Sequence, residues 1–223
     1  MDDEDRTGRT GVSEPSGSSR WADRVETLTV LLIALTAVLA AWTAFESSKW
    51  GGEMSVQFSR AGALRTESVR ASNLANRQTV VDVTLFTGFA DAYFAGDDEL
   101  AAFYRDRFPD RLAVATDAWI ATRPLVSADA PPSPFDMSEY RSEPAEESAR
   151  LEQQAEARAT AARAANQKGD NYTLTSIFLA TVLLLAAVST RVSSRRLQVT
   201  LFNVAVVVFL AVGVVVATFP VLV

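Results

Sequence analysis

Charged residues are absent from three long stretches of the chain, and between the first two the apolar positions fall into helical register. Between Glu26 and Glu46 lie 19 uncharged residues, TLTVLLIALTAVLAAWTAF, and between Asp170 and Arg191 lie 20, NYTLTSIFLATVLLLAAVST. After Arg196 no charge follows through Val223. A helix rising about 1.5 Å per residue crosses a hydrocarbon core of roughly 30 Å in about 20 residues. The runs therefore predict three transmembrane helices, over 25–46, 172–190 and 199–220. Lipid offers a backbone amide no partner, so each span has to satisfy its own hydrogen bonds as a helix.

Between the first two spans, Met54, Phe58, Ala61, Leu64, Ala71, Leu74, Val81, Leu85, Phe89 and Tyr93 recur at spacings near three, four or seven. That is one apolar stripe on a helix that continues out of the first span. Gly51 and Gly52 each cost about 1 kcal/mol of helix stability and mark a place where it can bend. Gly96 before DDELAAFYRDRF reads as a helix stop and a new start, with Asp97 capping and Asp98 and Glu99 in the first turn. A short helix from Asp110 to about Thr122 follows Pro109, with Leu112, Ala115 and Trp119 on one side. Pro124, Pro131, Pro132 and Pro134 exclude regular helix from a strap over 124–142. The alanine-rich stretch PAEESARLEQQAEARATAARAANQKGDNY then predicts an amphipathic helix returning to the second span.

Charge orients this arrangement. Arg191, Arg195 and Arg196 crowd the short connection 191–198, and short loops dense in Lys and Arg stay on the cytoplasmic side. Arg20 and Arg24, ahead of the first span, agree. The fold class expected is all-α: an integral membrane protein with three transmembrane helices and an extracytoplasmic helical bundle, 47–171, inserted between the first and second. Residues 1–24 read as a disordered cytoplasmic tail, too poor in apolar side chains to fold alone. The C-terminus then lies outside. Trp21, Trp42 and Tyr172 fall near the interfacial levels where amphipathic rings are favoured. A cleaved signal peptide is the competing reading of the first run, but the run is longer than the usual ~7 to 15 apolar residues and follows an acid-rich segment.

Composition narrows the chemistry. Of 223 residues 48% are hydrophobic, the formal charge is −6, and there is no His and no Cys. The commonest general base, the thiol nucleophile and the usual transition-metal ligands are therefore missing. No glycine-rich phosphate loop, Gly-x-Ser-x-Gly elbow or metalloprotease motif occurs. Asp97, Asp98 and Glu99 lack the alternating ligands and glycine of a calcium loop, and Glu146, Glu147, Glu152 and Glu156 read as a solvated helix face. No catalytic residue, cofactor or metal is expected. The triplet Asn171, Tyr172, Thr173 matches a glycosylation acceptor but lies against the membrane. No charge lies in the interior of a span, which disfavours secondary transport, and Asn203 is the most polar residue of the third. Ala37, Ala41, Ala44, Gly213 and Ala217 are small enough for close helix packing, within the chain or between copies. Phe135, Met137 and Tyr140 alternate with polar residues in the strap, either pinning it to the helices or offering it to a partner.

The segments SSKWGGEMS, PPSPFDMSEYR and ANQKGDNYTLTSIFLATVLLLA resemble a group of uncharacterised bacterial three-span inner-membrane proteins of unknown function. The resemblance covers about three quarters of the chain, excluding the N-terminal tail, and implies this architecture and a bacterial cell-envelope setting. The function expected is that of a non-enzymatic structural or accessory component that binds protein through its outer helical domain. A sensor of the extracytoplasmic medium and a homo-oligomeric channel are the alternatives. The partners expected are the lipid bilayer and protein, another chain or a copy of this one, and no nucleic acid.

Overall fold

Proline placement divides the chain into its elements. No proline occurs between Pro15 and Pro109, and most of that interval forms a single helix. The computed structural model describes residues 17–222, with side chains from Arg24 onward. Helix α1 runs over Gly17–Ala95, 79 residues, and passes through Gly51 and Gly52 without interruption. It ends where Gly96 takes φ +73°, a conformation costly for any residue with a Cβ. The amide of Asp97 donates to the Ala92 carbonyl at 3.0 Å and that of Gly96 to Tyr93 at 3.3 Å, which closes the helix in a Schellman turn.

Asp97 also begins the next helix, its side chain accepting from the Leu100 amide at 3.0 Å. Helices α2, Asp98–Arg105, and α3, Asp110–Ala121, follow as the sequence predicts, and α3 buries Leu112, Ala115, Thr116 and Trp119. The strap makes turns and one 3-10 turn, Pro134–Asp136. Pro144 stands at the start of α4, Glu143–Ser189, where its missing N–H costs nothing, and no proline interrupts the following 47-residue helix. Helix α5 covers Arg195–Ala217. Helix is the only regular structure apart from turns among the described residues. Three of the helices, α1, α4 and α5, are long and apolar enough to cross a membrane.

The disordered tail expected over 1–24 is helix from Gly17 onward, and residues 1–16 lie outside the described residues. The reason is local. Ser, Arg, Trp and Ala there carry no helix breaker and can extend a helix already propagated by the apolar run that follows.

Two compact units divide the chain, one of residues 17–54 and 163–222, the other of Ser55–Ala162. In the first, α1 and α4 run antiparallel: Thr43 Oγ1 meets Ser176 Oγ at 2.8 Å and Ser47 Oγ meets Thr173 Oγ1 at 2.9 Å. Thr29, Leu32, Thr36, Thr43, Glu46 and Trp50 form the buried seam of α1. The three threonine hydroxyls donate to carbonyls of their own helix, on Val25, Leu32 and Ala40, so they occupy the seam as small, internally satisfied groups. Leu32, Val182, Ala186 and Ala205 join α1, α4 and α5 in one cluster, flanked by Phe202 and Phe209.

The second unit repeats the pairing. Arg158 donates to Gln57 at 3.4 Å, Arg65 to Glu156 at 3.2 Å and Ser68 to the Ser148 carbonyl at 2.9 Å. The buried face of α1 here runs through Gln57, Ala61, Ser68, Ala75, Asp82 and Phe89, the last two against α2, α3 and the strap, and that of α4 is Leu151, Ala155, Ala159 and Ala162. Of the stripe read from the sequence, Ala61 and Phe89 are buried, while Phe58, Leu74, Val81 and Tyr93 are exposed. Against α4 the contact is taken mainly by small or polar residues, among them Ala61, Ser68, Ala155, Ala159 and Ala162.

Gly88 provides the tightest approach. A Cβ at this position would lie 2.5 Å from the Tyr104 ring of α2. Gly88→Ala is expected to lower the stability of this unit by about 1–3 kcal/mol, the usual cost of overpacking. Chemical denaturation would show it, and Tyr104→Ala in the same chain should recover part of the loss through non-additivity.

Candidate functional site

A lone acid sits in the register of the α1 seam. Asp82 follows Ala75 and precedes Phe89 at intervals of seven, and its side chain is 0% exposed. Its two oxygens are taken from one side by Arg111 of α3, whose Nε donates to Oδ2 at 2.7 Å and Nη2 to Oδ1 at 2.9 Å. The Tyr140 hydroxyl of the strap donates to Oδ2 at 2.8 Å. A bidentate guanidinium and a phenol satisfy the buried carboxylate. Burial works against the charged Arg111, but its hydrogen bond with Asp82 and that residue's charge outweigh it and hold the guanidinium above its ordinary range. Burial raises the Tyr140 phenol; a hydrogen bond with Thr79 opposes the rise and the contact with Asp82 adds to it.

Aromatic contacts extend this anchor. Phe135 meets Tyr140 edge-on at 5.0 Å and Phe86 at 5.7 Å, and Phe86 meets Trp119 at 5.4 Å. Trp119 Nε1 donates to the Pro131 carbonyl at 2.8 Å. The strap is thereby fixed at Pro131, Phe135 and Tyr140. Its first turn is fixed as well: Arg123 adopts φ +56°, and its carbonyl accepts the amides of Val126 and Ser127, each at 2.9 Å. This turn presents Leu125, 74% exposed, and Val126, 85% exposed, beside a cavity of 230 Å³ bordered by Tyr93, Phe94, Trp119 and Ile120.

The first unit holds a second buried acid. Glu46 is 1% exposed and its Oε2 accepts the Leu222 amide at 3.0 Å. One turn further along α1, Lys49 Nζ donates to the carbonyl of the same residue. Tyr172 donates to the Pro220 carbonyl at 3.3 Å, and its ring meets Phe219 edge-on at 5.2 Å. Trp50, Ala165 and Tyr172 form the cluster beneath, and Lys168 Nζ lies 4.2 Å from the centre of the Trp50 ring. Both buried carboxylates thus act as anchors for a distant segment. Among the described residues no group of three or more acids could hold a metal ion.

The residues singled out in the sequence fall as follows. Arg24, Arg191, Arg195 and Arg196 are exposed; Arg20 lies in the first turn of α1, its side chain outside the described part. Phe135 and Tyr140 pack on α1 as above, and Met137 is half-buried. Ala37, Ala41, Ala44 and Ala217 are exposed and Gly213 is half-buried, so the seams inside the chain are built instead on Thr36, Gly169, Ala186 and Ala205. Tyr172 is buried among helices, while Trp42 stays exposed. Asp82 and Glu46 went unnoticed in the sequence. For Asp82 the signal available was a charge standing between Ala75 and Phe89 in a seven-residue repeat. No family model, curated protein or solved structure matches the chain.

Asp82→Ala leaves Arg111 and Tyr140 without their acceptor and should cost about 3–5 kcal/mol, whereas Tyr140→Phe, which removes one hydrogen bond, should cost about 1 kcal/mol. Denaturant midpoints separate the two. The raised phenol binds its proton more tightly in the folded chain, so its contribution is complete below the ordinary tyrosine value of 10.0 and is lost as pH rises beyond it. Tyr140→Phe should remove that component of alkaline unfolding.

Proposed function

We propose that the chain is a non-enzymatic integral membrane protein of the bacterial plasma membrane that acts as a structural or accessory component, binding protein through the helical unit between its first two spans. The observation that carries this reading is the turn at Arg123–Val126. Two branched apolar side chains stand almost fully in the open, held by a backbone that Pro124 and the doubly accepting Arg123 carbonyl make rigid. Adjacent aromatic rings on Tyr93 and Phe94, half exposed, enlarge the apolar surface, and Arg123 lies on its edge. Aromatic residues and arginine are the types enriched where proteins bind one another, and a fixed turn loses little entropy on association. Asp82 serves this surface indirectly, because it anchors the strap that follows the turn.

The orientation follows from the exposed Arg191, Arg195 and Arg196 in the short connection between α4 and α5, with Arg24 at the matching end of the first span. The N-terminus is then cytoplasmic, residues 47–171 lie outside, and the end of α5 lies outside. The resemblance to bacterial three-span proteins agrees with that setting.

A chain without cysteine makes the orientation simple to test. With single substitutions, an impermeant maleimide should label Ser127→Cys in intact spheroplasts and Ser193→Cys only after lysis; the opposite pattern would refute the orientation. The binding role is tested by native mass spectrometry of complexes gently extracted from the host membrane. The expected result is a complex containing a further polypeptide at fixed ratio, reduced to the single chain by Leu125→Glu with Val126→Glu while helix content is unchanged. A wild-type mass equal to one chain would sink the proposal.

A further inference from the structure

Helices α4 and α5 pack closely around Val182, Ala186 and Ala205, then leave a cleft toward the end where Phe219 meets Tyr172. The cleft has a volume of 410 Å³ and is walled by Leu174, Phe178, Val208, Ala211, Val212 and Val215. That volume is within the range of small-molecule sites, roughly 300–1,000 Å³. Its floor offers no free polar group: the hydroxyl of buried Thr175 donates to the carbonyl of Tyr172 at 2.7 Å. Phe219 closes one end, and the hydrogen bond from Tyr172 to Pro220 holds it there. Asn171 stands on the rim at the same end. Its oxygen accepts from Gln167 Nε2 at 3.3 Å, and its amide nitrogen has no partner among the described residues.

Water, vacuum, a neighbouring helix and a lipid chain compete for such a space. Water needs two to four polar partners, which the walls do not supply. Vacuum forfeits the dispersion contacts of every lining atom. A transmembrane helix, about 10–12 Å across with its side chains, could reach the cleft only through single side chains and would leave much of its apolar wall uncovered. A single flexible hydrocarbon chain fits, and helices apolar enough to cross a membrane are surrounded by such chains. The free amide at the rim adds a donor where the polar end of such a molecule would lie.

We propose that the cleft between α4 and α5 is a lipid site that takes one acyl chain of a membrane phospholipid, with Asn171 donating from its side-chain amide to an ester or phosphate oxygen of the same molecule. The site rests on the membrane placement argued above but is independent of any protein partner. Phe219 forms its end wall, next to the Pro220 carbonyl that accepts from Tyr172.

The test uses the full chain reconstituted in nanodiscs of a single defined phosphatidylethanolamine, then released into detergent for native mass spectrometry. One phospholipid per chain should survive release. Ala211→Phe, which fills the cleft, should lower that occupancy at least about tenfold, and Asn171→Leu a few fold, while Ala37→Phe on the exposed face of α1 should leave it unchanged. Should Ala211→Phe fail to fold, Val208→Cys carrying a fluorophore replaces it. Its emission should be quenched by doxyl-labelled phospholipid retained through release, and that of Ala37→Cys should not. A chain recovered without detergent in the soluble fraction would overturn both the placement and the site. A membrane-embedded chain that retains no lipid, or equal loss in the Ala37→Phe variant, would overturn the site alone.

Discussion

The close antiparallel approach of α1 and α4 is the constraint from which the rest follows. In helices apolar enough to cross a membrane, association gains little from the hydrophobic effect, because lipid tails are as apolar as leucine; packing contact and hydrogen bonds between helices have to supply it. Both favour small residues. Gly169 makes the point, since a Cβ placed there would stand 3.5 Å from the Ser47 carbonyl oxygen and from Trp50 Cβ, already in van der Waals contact with the facing helix. Thr43 with Ser176 and Ser47 with Thr173 add hydroxyl contacts at the same seam. In the second unit Ala155, Ala159 and Ala162 serve the same end with methyl groups. There the surroundings need not be lipid, and burial of those methyls adds a hydrophobic contribution of its own.

Each unit admits one carboxylate to its seam, and the two are satisfied in different ways. Asp82 meets side chains, a guanidinium and a phenol brought by α3 and the strap. Glu46 meets backbone, the amide of Leu222. In each case an acid that would be expensive to bury alone fixes a segment far away in sequence, which ties loop geometry to helix pairing. Chemistry is limited accordingly. The oxygens of Asp82 are occupied by donors and are not placed to abstract a proton.

Much of the architecture was legible in the sequence because it depends on local rules. Uncharged runs, proline spacing, Gly96 before Asp97 and the acids of the first turn of α2 each act within a few residues, and each is found where the sequence places it. The seams were less legible. A reading that ranks positions by hydrophobicity selects Phe58, Leu74 and Val81, whereas the contact is decided by how near two backbones come, which depends on a partner about 80–130 residues away. The same blindness hid Asp82 and Glu46, whose partners lie on other elements. Tyr172, read as an interfacial ring, is buried because Phe219 returns over it after α5. The exposed small residues Ala37, Ala41 and Ala44 show the converse, a locally sound pattern that the seams within the chain do not use.

The hold on Leu222 is made through its amide and its carbonyl, with no demand on its side chain from Glu46 or Lys49. The attachment therefore depends on the side chains at positions 46 and 49, whereas at position 222 it requires only a backbone amide and carbonyl and a side chain that fills the apolar cluster. Proline is the exception, since it has no amide to offer. The segment beyond α5 can thus be substituted at this position while keeping its attachment.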